Sequence, residues 1–443
     1  MKSQNSLTIG ENIVVGLMLF ALFLGAGNII FPPLLGQLSG DQLVISIIGF
    51  LITGVGLPLV AVIAIAKSGG DLQSIASRVH PLFGIIFTVV IYLVIGPLFA
   101  IPRTATVSYE IGVLPFLTDS ISSEKWPLVL FSILFFTVTV LFALNPTKLV
   151  DRIGKILTPI LITVIGLLAI KSFITPMGEI GSPIDAYKEA PFFESFLQGY
   201  LTMDVLAALV FGIVVIHALK DKGVSDSKLL VRATIIAGVI AAIGLSIVYI
   251  SLSFIGATSV DAIGIQDNGG SILALSSNIL FGSFGSIILA LTIASACLTT
   301  SIGLVAAASQ FFEKLVPSLS YRSFVFIFSG FSALFANVGL TQLINFSVPV
   351  LLAIYPLAIV LMLLSFVDRF FNRAPIVYAL ALIFTSFISI FDGLKAANII
   401  FPAVENVLGH LPLYNEGIGW LIPGIIGALI GFIIYKTKNS DSH

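Results

Sequence analysis

The stretch FLGAGNIIFPP, Phe23–Pro33, decides how this chain is read. It lies within a run that carries no charge from Ile13 to Leu38, and about 20 apolar residues suffice for a helix to cross a bilayer. Yet the middle of that run holds Gly25, Ala26, Gly27 and Asn28, and Pro32 and Pro33 follow. A glycine costs about 1 kcal/mol relative to alanine in a helix interior. Prolines remove backbone donors and push the residues before them out of the helical region. The expectation is two half-helices, about 13–24 and 30–38, with an unwound link. A lone glycine would read as a packing contact or a kink; four irregular positions at the centre of a span read as a site. Backbone groups freed there cannot face lipid, so they are buried in protein or line a watery cavity. A helix entering from the cytoplasm ends its first half on free carbonyls, which suit a cation. It begins its second half on free N–H groups, which suit an anion.

The rest of the chain fits a membrane protein. Of 443 residues, 58% are hydrophobic and 10% charged, against roughly 45–50% and 25% in soluble domains. A net charge of −1 supplies no basic field for nucleic acid. The single cysteine, Cys297, excludes an intramolecular disulfide and a cysteine-based metal cluster. No signal peptide is expected, because the first apolar run is too long and no small-residue cleavage site follows it. Apolar runs predict an all-α integral membrane protein of twelve spans, near 13–38, 42–66, 81–106, 127–144, 150–174, 195–219, 229–256, 284–312, 322–340, 346–367, 374–394 and 417–435. With both termini in the cytoplasm, only Lys125, Lys171, Lys188 and Lys395 fall outside and Arg103 falls within a span; the rest of the 21 Lys and Arg fall inside. The external loop near 257–283 contains SILALSSNIL, a candidate short helix over the outer face.

Two further spans carry chemistry. In QGYLTMDVLAALVFG, Gln198–Gly212, Asp204 lies about nine residues into the sixth span, and an ionisable residue at that depth is a functional candidate. The alternatives are a protonated or structurally bonded aspartate, and the sequence leaves open whether the helix breaks before or after it. In ASACLTTSIG, Ala294–Gly303, Thr299, Thr300 and Ser301 are consecutive hydroxyls. Hydroxyl and carbonyl oxygens suit Na⁺ rather than softer metals, and the competing reading is back-bonding within the helix. Arg103, after Gly96, Pro97 and Pro102, either closes an outer gate by pairing with an acid or snorkels toward headgroups. No histidine lies mid-membrane beside a nucleophile, and no paired membrane aspartates form a protease motif, so an enzyme is not expected.

Taken together, MLFALFLGAGNIIFPPLLG, IGPLFAIPRTATVSYE, GYLTMDVLAALVFGIVV and LTIASACLTTSIGL resemble the branched-chain amino acid:cation symporter family of bacteria, over essentially the whole chain. That resemblance implies a leucine-transporter-type fold with a 5+5 inverted repeat, broken first and sixth helices and two added helices. The chain would form a single membrane transport domain, 1–443, with repeats near 10–175 and 190–370 and accessory helices near 374–436. It implies import of leucine, isoleucine or valine across the bacterial inner (plasma) membrane, with Na⁺ as the coupling ion and no cofactor. H⁺ is the alternative ion, and a non-transporting sensor the alternative function. Carried onto this sequence, Na⁺ would meet carbonyls of Ala21, Leu24 and Ala296 and hydroxyls of Thr299 and Thr300. The substrate would meet Gly25, Ala26, Gly27 and Asn28, its carboxylate on the N–H groups of Ala26 and Gly27. Its ammonium would meet helix-6 oxygens, with Tyr200, Thr202 and Asp204 the candidates.

Overall fold

The computed structural model describes residues 7–68, 71–144, 148–224 and 226–440. Its helices are α1 (Ile9–Phe23), α2 (Ala26–Ser39), α3 (Leu43–Leu51), α4 (Leu57–Ser68), α5 (Leu72–Ala76), α6 (Pro81–Leu93), α7 (Ala100–Gly112), α8 (Asp119–Ser122), α9 (Trp126–Ala143) and α10 (Lys148–Ile174). They continue as α11 (Pro191–Gln198), α12 (Asp204–Asp221), α13 (Ser227–Ala257), α14 (Val260–Ile263), α15 (Gly269–Leu315), α16 (Tyr321–Ala336), α17 (Leu340–Val367), α18 (Pro375–Ala396), α19 (Pro402–Leu408) and α20 (Leu421–Ser440). No strand occurs among the described residues.

A helix occupies each of the twelve segments expected from the sequence. Among the described residues, eight helical stretches are long and apolar enough to cross a membrane, or nine if the bent pair α11 and α12 counts as one span. Ile9–Phe23, Pro159–Ile174 and Tyr321–Ala336 are shorter apolar helices. Large apolar side chains such as Phe284, Leu291 and Leu334 point outward, as lipid contact requires. The buried centre is built on Tyr200, Tyr249, Tyr355, Phe31 and Phe50.

α1 begins at a capping box, in which Thr8 and Glu11 satisfy each other's backbone donors. It ends at Phe23, and only Leu24 and Gly25 separate it from α2. The link is therefore shorter than the expected one, and Pro32 and Pro33 lie inside α2 rather than at the break. Their missing donors leave the Asn28 and Ile29 carbonyls without an intrahelical partner, which is tolerable because α2 is buried against α13, α15 and α7.

Other helices also depart from regularity. A wide helical turn, Ile52–Gly56, joins α3 to α4; another, Val94–Leu98, joins α6 toward α7 with a non-helical Gly96. Such turns recur at functional sites. α15 turns sharply at Gly282 (φ 64, ψ −164), and its first arm contains the SILALSSNIL segment, helical as expected. Far from these breaks, Arg78 meets Asp368 at 2.7 Å and Tyr378 at 3.2 Å, tying the turn after α5 to the end of α17 and to α18.

Candidate functional site

The break between α1 and α2 meets a second break between α11 and α12. There the chain passes through a 3₁₀ turn, Gly199–Thr202, and then Met203, whose backbone is left-handed (φ 66, ψ 13). An unbranched non-glycine residue in that region is uncommon, and such positions concentrate at functional sites. The helix axis bends by 43°. The break thus lies immediately before Asp204, which becomes the first residue of α12. Side chains satisfy the first donors of that helix: Asp204 N–H donates to Thr202 Oγ1 (3.3 Å) and Val205 N–H to Tyr355 Oη (3.3 Å).

Asn28 joins the two breaks. Its Oδ1 accepts from Gly25 N–H (3.0 Å), holding the start of α2, and its Nδ2 donates to Asp204 Oδ2 (2.5 Å). Tyr249 of α13 donates to the same carboxylate oxygen at 3.0 Å and also receives the Asn28 amide. The Asp204 carboxylate is buried, and it is held by two side-chain donors rather than by a cation.

Arg103 departs from both sequence expectations. It is 3% exposed, so it does not snorkel, and among the described residues no carboxylate lies within 4.0 Å of it. Instead Nη1 donates to the Leu201 carbonyl (2.6 Å) and Nη2 to the Thr202 carbonyl (3.3 Å). These oxygens are exposed by the helix-6 break, where no following turn supplies their usual donors. The guanidinium lies 5.3 Å from the Phe31 ring centre, a cation–π distance. A Cβ on Gly27 would fall 2.8 Å from Arg103 Nη2 and 3.2 Å from Thr202 Cα, so a side chain there would force the guanidinium to move.

A cavity of ≈ 50 Å³ opens between the breaks, room for a few waters. Gly25, Ala26, Gly27, Asn28, Arg103, Thr202, Asp204 and Thr300 give it a polar side. Phe23, Ile95, Met203, Ala207, Phe211 and Leu304 give it an apolar one. Apolar walls with a few convergent polar groups suit a small amphiphilic ligand.

Not every expected residue reaches this cavity. Tyr200 does not: its ring stacks on Tyr355 (centroids 4.4 Å apart) behind the break, and its buried hydroxyl has no partner among the described residues. Of Ala296, Thr299 and Thr300 in α15 only Thr300 lines the cavity, with its Cγ2 3.8 Å from where a Gly25 Cβ would stand. The Thr299 and Thr300 hydroxyls both donate to the Ala296 carbonyl, at 2.8 and 3.0 Å. This is back-bonding within the helix, the reading that competes with an ion site for these hydroxyls. Leu24 is buried at the end of α1, and Ala21 is half-buried one turn earlier. Neither Ala21, Leu24, Ala296 nor Thr299 lines the cavity. Among the described residues no cluster of three His, Cys, Asp or Glu side chains could hold a metal.

Sequence reasoning missed Tyr249 and Tyr355, although each is a tyrosine in the middle of an apolar span. A hydroxyl placed there has to find a partner within the protein.

The model of a family described as "Branched-chain amino acid transport protein" matches residues 9–438. The "Branched-chain amino acid permease BraB" of Bacillus subtilis is 54% identical over 432 residues, 97% of each chain. The "Branched-chain amino acid transport system 2 carrier protein" of Pseudomonas aeruginosa is 47% identical over 421 residues, 95% of each chain. These names are those of carriers, not of enzymes. Among solved structures, Mhp1, a nucleobase-cation-symport-1 family transporter in a closed conformation with bromovinylhydantoin bound, superposes with a TM-score of 0.63 at 13% identity, over 100% of this chain and 96% of that one. MhsT in complex with L-phenylalanine gives 0.55 at 15% identity, over 98% of both chains. The fold is that of these transporters.

Proposed function

The chain belongs to the family of branched-chain amino acid transport proteins, and from that premise we propose that it is a secondary symporter importing leucine, isoleucine and valine with Na⁺ by alternating access. The observation that carries this reading is the meeting of two broken helices on one buried cavity, joined by Asn28 and Asp204. Broken helices that meet in this way can bind a zwitterion and a cation without exposing backbone to lipid.

In this reading the substrate carboxylate takes the Ala26 and Gly27 N–H groups at the start of α2. Its ammonium faces the oxygens of the α11–α12 break, with Thr202 and Asp204 nearest and Tyr200 behind the break as packing for it. Its side chain meets Ile95, Ala207, Phe211 and Leu304. Na⁺ takes the Ala21, Leu24 and Ala296 carbonyls with the Thr299 and Thr300 hydroxyls, tying α1 to α15. A cavity of ≈ 50 Å³ is too small for leucine, so loading requires the bundle of α1–α2 and α11–α12 to move against the scaffold of α6–α7 and α15. Twelve spans in two inverted five-helix repeats plus two more, with both termini in the cytoplasm of a bacterium, complete the proposal.

Because the substrate carries no net charge, one Na⁺ per cycle makes transport electrogenic. Each 100 mV contributes about 2.3 kcal/mol and each tenfold Na⁺ gradient about 1.4 kcal/mol. Together they would sustain accumulation of several hundredfold. Selectivity among the three substrates is shallow, since one methylene in a pocket is worth about 1–3 kcal/mol. A charged side chain is rejected, because the apolar wall would leave it unpaired. The buried Asp204 carboxylate in the cavity favours one second reading, in which H⁺ is the coupling ion.

Binding of radiolabelled leucine to the purified protein, competed with isoleucine, valine, lysine and glutamate, tests the substrate class. Competition by the first two and not by the charged pair is expected. Equal competition by all four, or no leucine binding, would contradict it.

A further inference from the structure

The reading above gives the substrate ammonium to helix-6 oxygens, yet the two carbonyls exposed there already receive a cation. Arg103 donates to Leu201 and Thr202 with Nη1 and Nη2. We propose that Arg103 holds the ammonium's place until an amino acid arrives, then yields these carbonyls and turns to the substrate carboxylate.

Charge is the first argument. Arg103 is buried, and no carboxylate lies within 4.0 Å of it among the described residues. A buried cation that touches only neutral carbonyls, with Asp204 acting on it through space and not in contact, is incompletely compensated in low-dielectric surroundings. Asp204, the acid of the same cavity, is engaged by Asn28 and Tyr249 instead. Donor capacity is the second argument: Nε is buried without a partner, and a guanidinium with a free edge suits a planar carboxylate. Position is the third. Nη2 abuts Gly27, which with Ala26 opens the N-terminus of α2, the place where an anion is favoured. A carboxylate seated there lies beside the guanidinium.

The exchange requires both charges of the ligand. An amine alone would displace Arg103 and leave its cation unpaired. A carboxylate alone would draw Arg103 away and strip the Leu201 and Thr202 carbonyls of their donors. A zwitterion supplies the anion to Arg103 and the ammonium to the carbonyls in one step. Arg103 therefore makes the site selective for a ligand that carries both groups.

This inference rests on the amino acid reading, and competition against radiolabelled leucine separates the two. The competitors are leucine, leucinol, which lacks the carboxylate, and 4-methylpentanoate, which lacks the ammonium. The proteins are the purified full chain, Arg103→Gln and Arg103→Lys. In the wild type leucinol is expected to bind about 10- to 150-fold more weakly than leucine, the scale of a lost charge-assisted hydrogen bond. Arg103→Gln weakens leucine and 4-methylpentanoate but strengthens leucinol, whose ammonium no longer has to displace a cation. Arg103→Lys keeps the positive charge without the planar fork and leaves leucinol weak. Leucinol and leucine weakened equally in Arg103→Gln, or a ratio unchanged from wild type, overturns the exchange and gives Arg103 a structural role. If Arg103→Gln does not fold, a wild type that binds leucinol as tightly as leucine overturns the proposal, and so does an Arg103→Lys in which leucinol gains. Failure of wild type to bind leucine at all refutes the amino acid reading instead.

Discussion

A methyl group at Gly27 separates the assembled site from the bare helix break. Gly27 has no positive φ, so alanine is allowed on the local backbone and is favoured there by about 1 kcal/mol of helix propensity. Any loss of function in Gly27→Ala is therefore tertiary. The added Cβ would stand 2.8 Å from Arg103 Nη2, 3.2 Å from Arg103 Cζ and 3.2 Å from Thr202 Cα. To reach an ordinary contact of 3.4 Å the guanidinium has to retreat, and its 3.3 Å bond to the Thr202 carbonyl is the first to break. Leucine displaces that bond on binding, so its loss alone does not weaken leucine; the loss comes from a guanidinium pushed off the carboxylate seat at Ala26 and Gly27, one hydrogen bond to a charged group, about 1.5–3 kcal/mol or roughly 10- to 150-fold. Gly112→Ala, away from the cavity, is the control. Its Cβ would meet the Ala290 carbonyl at 3.6 Å and Ala294 Cβ at 3.9 Å, ordinary contacts, so a change within about twofold is expected, about 0.5 kcal/mol. Equilibrium binding of radiolabelled leucine, with thermal unfolding in detergent to verify folding, reads both. Wild-type affinity in Gly27→Ala, or equal losses in both variants, would refute the reasoning.

Other perturbations follow from the same contacts. Asp204→Asn abolishes or uncouples uptake, and normal uptake with unaltered ion dependence would reduce Asp204 to a structural role. Tyr249→Phe removes the 3.0 Å donor to Asp204; leucine KM should rise about tenfold or more, as measured by initial uptake rates. Thr300→Ala should raise the Na⁺ concentration for half-maximal uptake several-fold, about 1 kcal/mol, and Thr299→Ala should act in the same direction. Unchanged Na⁺ dependence in both would remove the helix-8 hydroxyls from the ion site. Asp368→Asn leaves Arg78, whose side chain is only 10% exposed, with the Tyr378 hydroxyl and no counter-charge. Stability should fall by about 3–5 kcal/mol, seen as a lower Tm in detergent, and an unchanged Tm would contradict the tie between α5 and α17.

The break in helix 1 was legible because glycine and asparagine in an apolar span have few other uses. Its extent was not, because prolines signal a lost donor without saying where the chain stops being helical. In a buried helix the orphaned carbonyls can be tolerated one turn later. The helix-6 break left no such mark: methionine in the left-handed region is a tertiary outcome, and Gly199 lies four residues earlier. Asp204 was found because charge at that depth is costly, while its partners were not, since a span says nothing of its neighbours. Arg103 was read against acids because charged side chains are easy to pair on paper. Its partners are backbone carbonyls, which no residue type advertises.

The most direct test of the account is radiolabelled leucine uptake into proteoliposomes under an inward Na⁺ gradient at uniform pH, an inward H⁺ gradient without Na⁺, or neither. Accumulation under the Na⁺ gradient alone, increased by an inside-negative potential, is the result predicted. Accumulation under the H⁺ gradient with no response to Na⁺ would contradict the central claim and transfer the coupling role to Asp204.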